Sequence, residues 1–179
     1  IDNNSGYVVA IVGGRKQDSD NYTLNRAYQS YRQPGSSIKP LLVYTPQLER
    51  GYTPDTVVDD HKLKDGPSNA NNTYAGKIPL RYAVAHSINT IAWQLYDELT
   101  PKAGLQYLKN MNFGQIKDGD YTLATSLGGF TKGVSPLEMA SGYAAVENDG
   151  LYREPTCVKS IVDSDENVVY TSSLTEKTV

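Results

Sequence analysis

The chain has 179 residues, 39% of them apolar and 21% charged, and a net charge of -3. That length suits one domain, or a large part of one, able to bury about 70% of its unfolded surface, and the acidic balance excludes the basic excess on which nucleic-acid and anionic-membrane binders depend. The single cysteine, Cys157, rules out an internal disulfide; His61 and His86 lack ligand-like spacing, so no metal site is expected; and no run of 18 apolar residues could span a bilayer.

The chain opens Ile1-Asp2-Asn3-Asn4, without an initiator methionine or a basic-then-apolar leader, and is expected to be a piece of a longer polypeptide. Tyr7-Val8-Val9-Ala10-Ile11-Val12 is a β-rich run between Asn4-Ser5-Gly6 and Gly13-Gly14, which predicts a strand within residues 1–15. Residues 16 to 26 are polar and predict a loop. Pro34-Gly35 marks a turn, Ser36 is a candidate helix N-cap, and Pro40 falls inside the first helical turn, where its missing N–H removes no intrahelical bond. Leu41, Leu42, Tyr44, Thr45 and Leu48 continue a helical face that Pro46 should kink or shorten.

Residues 51 to 79 are rich in Gly, Pro, Asn and Asp and predict a surface excursion rather than a core element. In it Asp59-Asp60 could suggest a metal or acid pair, but no third ligand follows at fixed spacing, and solvated loop carboxylates are the expectation. From Leu80 to Leu99 the apolar spacing suits helix, in two pieces broken near Ser87 to Asn89, with Trp93 expected in the core. Pro101 starts another helix that ends at Phe113-Gly114. Ser135-Pro136-Leu137-Glu138 combines a capping Ser, Pro at the first helical position and Glu at the third, and predicts a helix to about Asn148, closed by Gly150. Cys157 is expected as a small buried or half-buried sheet residue. Val158 to Val162 and Val168 to Tyr170 flank a turn, predicting a hairpin within residues 155–171.

The chemistry concentrates in Arg32-Gln33-Pro34-Gly35-Ser36-Ser37-Ile38-Lys39-Pro40. A serine three residues before a lysine at a helix start puts both side chains on one face. Taken by itself, Ser-x-x-Lys fits equally an N-cap serine and a solvated lysine. The same arrangement also fits nucleophilic catalysis: a serine hydroxyl needs a nearby base, and a desolvated lysine at the positive end of a helix has its pKa lowered toward that role. Ser87-Ile88-Asn89, alone, fits a helix cap and a turn.

The stretch Arg32 to Pro40 resembles the nucleophile motif of the class A penicillin-binding proteins almost letter for letter, and Leu80 to Asn89 resembles the family's Ser-x-Asn segment in the expected order. Leu127-Gly128-Gly129 and Gly133 to Ala140 look like the stretch that follows in class A rather than class B, and Ser5 to Arg15 resembles the first sheet strand. The resemblance covers nearly the whole chain. It implies an α+β fold, an incomplete penicillin-binding transpeptidase (β-lactamase-like) fold made of the helical part (residues 36–150), an N-terminal strand (residues 1–15) and a C-terminal hairpin, all in one partial domain. It implies that Ser36 is acylated, that Lys39 accepts its proton, that Ser87 relays a proton and that Asn89 binds the substrate amide.

The implied reaction is D,D-transpeptidation of D-Ala-D-Ala stem peptides, with β-lactams trapped on Ser36, no cofactor and no nucleic acid. The parent is expected outside the cytoplasmic membrane, anchored by another segment and beside a glycosyltransferase domain. A D,D-carboxypeptidase or β-lactamase-type hydrolase and a non-catalytic peptide- or antibiotic-binding module of the same fold are the alternatives. The family's Lys-Thr-Gly strand has no counterpart: Thr131-Lys132-Gly133 has the letters in the wrong order, and Lys177-Thr178-Val179 lacks the glycine. The expectation is therefore a chain truncated before that motif and catalytically impaired alone, with its sheet completed by a second chain or left with open edges.

Overall fold

The computed structural model describes residues 1–15, 23–173 and 176–179, so the predicted loop at 16 to 26 lies partly outside the described residues, as do Leu174 and Thr175 of the tail. The described residues fall into two compact units.

One unit comprises Arg32–Lys109 and Gly114–Val134. Its axis is a run of helical backbone that changes pitch along its length: a 3-10 turn at Gly35–Ile38, a π-helical turn at Pro40–Tyr44, then α1, Thr45–Glu49. Pro46 was expected to kink or shorten this helix. It has no N–H for a carbonyl one turn back, and the wider turn ahead of it, where the Thr45 N–H reaches the Pro40 carbonyl, absorbs the missing rung. Ile38, Leu41, Leu42 and Val43 are wholly or almost wholly buried, so this stretch runs through the core rather than along its surface.

Around this axis pack α2 (Leu80–Ala85), α3 (Asn89–Leu99) and α4 (Pro101–Asn110). The predicted break near Ser87 is where α2 ends and α3 begins. Ile91, Ala92, Leu95, Tyr96 and Leu99 on α3, with Leu105 and Leu108 on α4, complete the core, while Trp93 is only half-buried. Gly104 lets α4 come close: a Cβ there would sit 2.9 Å from the Leu42 carbonyl oxygen.

The excursion at 51 to 79, expected at the surface, also sends side chains into the core. Strands β1 (Val57–Asp60) and β2 (Gly76–Pro79) pair antiparallel, with Asp60 opposite Gly76. Ile78, Asp60 and Asn69 are buried. The expectation of two solvated carboxylates therefore fails for Asp60 and holds for Asp59, because successive residues of a strand point to opposite faces.

The other unit comprises Ile1–Tyr31, Asn110–Phe113 and Ser135–Val179. Helix α5, Pro136–Glu147, begins with the predicted capping box: the Glu138 N–H donates to Ser135 Oγ (3.2 Å) and the Ser135 N–H to Glu138 Oε2 (2.7 Å). Strand β3 (Leu151–Arg153) pairs antiparallel with β6 (Glu176–Thr178), and β4 (Ser160–Val162) forms the predicted hairpin with β5 (Val168–Thr171). Asp163 closes that turn, its Oδ1 accepting from the N–H groups of Asp165 and Asn167 at 2.9 Å each. Of the strand expected over Tyr7–Val12, Tyr7 bridges to Thr156 in parallel, and Val9, Ile11 and Val12 are exposed without a regular ladder. Cys157, next to that bridge, is exposed rather than buried.

Candidate active site

All four residues singled out by motif lie in the first unit, Arg32–Lys109 with Gly114–Val134. Ser36 sits in the 3-10 turn and is exposed, and Lys39, three residues on, is 1% exposed. Ser36 is not the N-cap that its position suggested. Pro34 holds that place, and the Ser37 hydroxyl donates to the Pro34 carbonyl at 2.7 Å.

The lead-in to Ser36 is pinned from the far side of the sequence. Arg32 and Val134 exchange two backbone hydrogen bonds, 3.0 and 2.8 Å, and Gln33 Nε2 donates to the Phe130 carbonyl at 3.2 Å. Gly128, at φ +90°, lies against the backbone of Gly35, which any Cβ at 128 would overlap. The Leu127-Gly128-Gly129 segment thus sets the height of the turn that carries Ser36.

Lys39 turns inward to the junction of α2 and α3. Its ammonium donates to the Ser87 carbonyl (2.8 Å), to Ser87 Oγ (3.1 Å) and to Asn89 Oδ1 (2.8 Å), matching three hydrogens to three acceptors. Burial lowers its pKa to about 8, since the low-dielectric surroundings disfavour the charged form. Lys39, Ser87 and Asn89 are thus brought into direct contact. The Lys39 backbone N–H donates to the Ser36 carbonyl, but among the described residues no side-chain hydrogen bond joins the Ser36 hydroxyl to the Lys39 amine.

The backbone at Ser87 is unusual for its residue type. The Ile88 N–H bonds back to the Ala83 carbonyl (2.9 Å) and the Ser87 N–H to the Val84 carbonyl (3.1 Å), the double closure that ends a helix on a left-handed residue. That residue is ordinarily glycine; here it is Ser87 at φ +52°. A side chain in this conformation costs about 1–2 kcal/mol, and strain of this kind gathers at functional sites. What it secures is a hydroxyl and a carbonyl facing the same lysine.

Helix α3 then starts with Ile88 at its N-cap and no local side-chain cap. The cap comes from the excursion. Asn69 Oδ1 accepts from the N–H groups of Asn89 (3.0 Å) and Thr90 (3.2 Å), and Asn89 Nδ2 donates to the Ser68 carbonyl (3.1 Å). Asn69 Nδ2 in turn donates to Asp60 Oδ1 (2.8 Å), which also accepts from Thr90 Oγ1 (2.5 Å), while Asp60 Oδ2 accepts from the Ala75 N–H (2.8 Å). Burial pushes the Asp60 carboxyl upward, but these three hydrogen bonds outweigh it and hold its pKa below the usual carboxylate value. Sequence reasoning missed Asp60 and Asn69. The one available signal was Ile88, a poor N-cap residue, which implies a cap supplied from elsewhere.

The arrangement offers an exposed serine, a buried amine with a pKa of about 8 and an amide held between that amine and the excursion. Residues 1–178 match the family described as the penicillin binding protein transpeptidase domain. Penicillin-binding protein 4 of Bacillus subtilis is 37% identical over 174 residues, and penicillin-binding protein 1F of the same organism is 35% identical over 173. These alignments cover 95% and 94% of the chain but 28% and 23% of the relatives, so the chain spans about a quarter of their length. In structure it resembles penicillin-binding protein 1A of Haemophilus influenzae, with TM-score 0.71 and 31% identity, covering 86% of this chain and 24% of that one. It also shares its fold with PonA1 of Mycobacterium tuberculosis, solved in complex with penicillin V, at TM-score 0.73 and 21% identity over 83% of this chain and 43% of that one.

Proposed function

Because the chain belongs to the transpeptidase-domain family of class A penicillin-binding proteins, we propose that it carries the acylation machinery of a peptidoglycan D,D-transpeptidase, with Ser36 as nucleophile and Lys39 as its base. The supporting observation is the buried Lys39 amine, one helical turn from an exposed serine and bonded to both Ser87 and Asn89.

As an ammonium, Lys39 has no lone pair. Loss of one proton supplies one, and with a pKa of about 8 roughly a tenth of the molecules are in that state at pH 7. The Ser36 hydroxyl, on a solvent-facing turn, then rotates toward the amine, and contacts of this kind commonly tighten only when substrate binds. Its proton passes to Lys39 as Oγ attacks the D-Ala-D-Ala carbonyl carbon. The tetrahedral adduct collapses with cleavage of the peptide C–N bond. D-Ala departs with a proton relayed from Lys39 through Ser87, whose Oγ already touches Nζ. The amine of a second stem peptide attacks the resulting ester and gives up a proton to Lys39 along the same route; the ester C–O bond then breaks as Lys39 returns that proton to Ser36 Oγ. Asn89 Nδ2 carries two hydrogens; the Ser68 carbonyl takes one, which leaves the other for the substrate amide. A β-lactam follows the first half of this sequence and remains as the ester.

The parent works in cell-wall synthesis on the outer side of the cytoplasmic membrane, with an anchor and a glycosyltransferase domain contributed by other segments; among the described residues no helix is long and apolar enough to cross a membrane. The 179 residues contain no Lys-Thr-Gly, which in the family supplies an oxyanion donor and a carboxylate contact. One missing oxyanion donor slows acylation about 10²- to 10³-fold, so the chain alone reacts slowly.

Incubation with a fluorescent penicillin tests this. Slow labelling at Ser36, abolished in Ser36→Ala, is expected. Labelling that survives Ser36→Ala would overturn the assignment, and rapid stoichiometric labelling would overturn the impairment.

A further inference from the structure

Asp60, Asn69 and Ser68 make no hydrogen bond to Ser36 or Lys39, yet the hydrogen bonds from the excursion to Asn89 come from Asn69 and Ser68, and Asp60 holds Asn69. Asn69 is 4% exposed and Asp60 1%. The orientation of the Asn69 amide follows from its partners, since its oxygen faces two N–H groups and its nitrogen faces the Asp60 carboxylate and the Thr73 carbonyl (2.9 Å). A flip would set acceptor against acceptor and donor against donor. A buried, ionised Asp60 therefore fixes which way Asn69 points, and Asn69 caps a helix start that its own sequence leaves uncapped. Asp60 also takes the Thr90 hydroxyl, placing a negative charge at the positive end of α3.

The consequence lies one residue away. Asn89 is the first residue of α3, its backbone N–H is held by Asn69, its Nδ2 by the Ser68 carbonyl, and its Oδ1 is one of three acceptors on the Lys39 amine. Without Asn69, the N–H groups of Asn89 and Thr90 lose their acceptor, and the first turn of α3 can fray.

We propose that Asn69, oriented by Asp60, is a positioning residue for acyl transfer: it caps α3 from a distance and so holds Asn89 and Ser87 in register around the Lys39 amine. For its kinetic readout the proposal rests on the acyl-transfer reading above.

The test uses the full 179-residue chain and three variants: Asn69→Ala, Asn69→Asp, and the exchange Asn69→Asp with Asp60→Asn. Asn69→Asp keeps acceptors for both N–H groups but sets two carboxylates together. The exchange restores a donor between positions 60 and 69. Amide hydrogen exchange by NMR and the rate of penicillin adduct formation by intact mass are followed together. In Asn69→Ala the amides of Asn89 and Thr90 are expected to exchange at least tenfold faster while those of Ala92 and Leu95 hold, and acylation is expected to slow at least tenfold. The double exchange should recover most of both losses relative to Asn69→Asp. The proposal is overturned if the Asn89 and Thr90 amides stay protected, if acylation persists unchanged although they open, or if the double exchange is no better than Asn69→Asp. A wild-type chain that takes no adduct overturns the acyl-transfer reading instead; the exchange and rescue data then decide on their own whether Asn69 holds the loop.

Discussion

The Lys39 junction and the Ser160–Thr171 hairpin are both built on short, recognisable segments, but they are held together in opposite ways. In the Lys39 junction the two charged side chains, Lys39 and Asp60, are buried and each is answered from outside its own turn: Lys39 by residues 87 and 89, Asp60 by 69, 75 and 90. In the hairpin the side chains are exposed on both faces, Val162 at 53% and Val169 at 63%, and the turn is closed by the local side chain of Asp163. The first arrangement exists only when the whole unit has folded. The second is closed by pairing and turn contacts within its own twelve residues. Stability and chemistry should therefore respond to substitution in one region and hardly at all in the other.

The sharpest way to break that contrast is Lys39→Ala, which removes the amine and leaves the Ser87 carbonyl and Asn89 Oδ1 without their donor; acylation is expected to fall about 10²- to 10⁴-fold, read as the rate of penicillin adduct formation. Next comes packing. Leu108, fully buried, should lose about 2–5 kcal/mol on replacement by Ala, whereas Ile161→Ala on the hairpin, 51% exposed, should stay within about 0.5 kcal/mol. Urea unfolding measures both, and equal effects would contradict the comparison.

Ser87 sharpens it further. Ser87→Ala and Ser87→Gly both remove the hydroxyl and should slow acylation alike, but glycine relieves the left-handed backbone, so Ser87→Gly should be the more stable of the two by about 1 kcal/mol. A modest effect is expected where a local cap acts alone: Ser135→Ala, which deletes half of the capping box on α5, should cost about 1 kcal/mol.

The same contrast explains what could be read from the sequence. The capping box at Ser135, the break at Ser87, the helix start at Pro101 and the hairpin around Asp163 are local signals and appear where expected. The four candidate site residues were legible as motifs, and three of them, Lys39, Ser87 and Asn89, are hydrogen-bonded together. The burial of Asp60, the cap supplied by Asn69 and the close approach of Gly128 to Gly35 depend on segments distant in sequence, and no local pattern announces them. Cys157 and the residues after Tyr7 read as sheet by composition, yet extended backbone becomes a ladder only where a neighbouring strand offers partners.

Ser36 as acyl acceptor with Lys39 as base is tested most directly by following adduct formation with a penicillin from pH 6 to 9, with the modified residue located by peptide mapping. The adduct should map to Ser36, and its rate should rise about tenfold between pH 7 and 9 as an amine titrating near 8 loses its proton. A flat profile, or an adduct on any other residue, would contradict it.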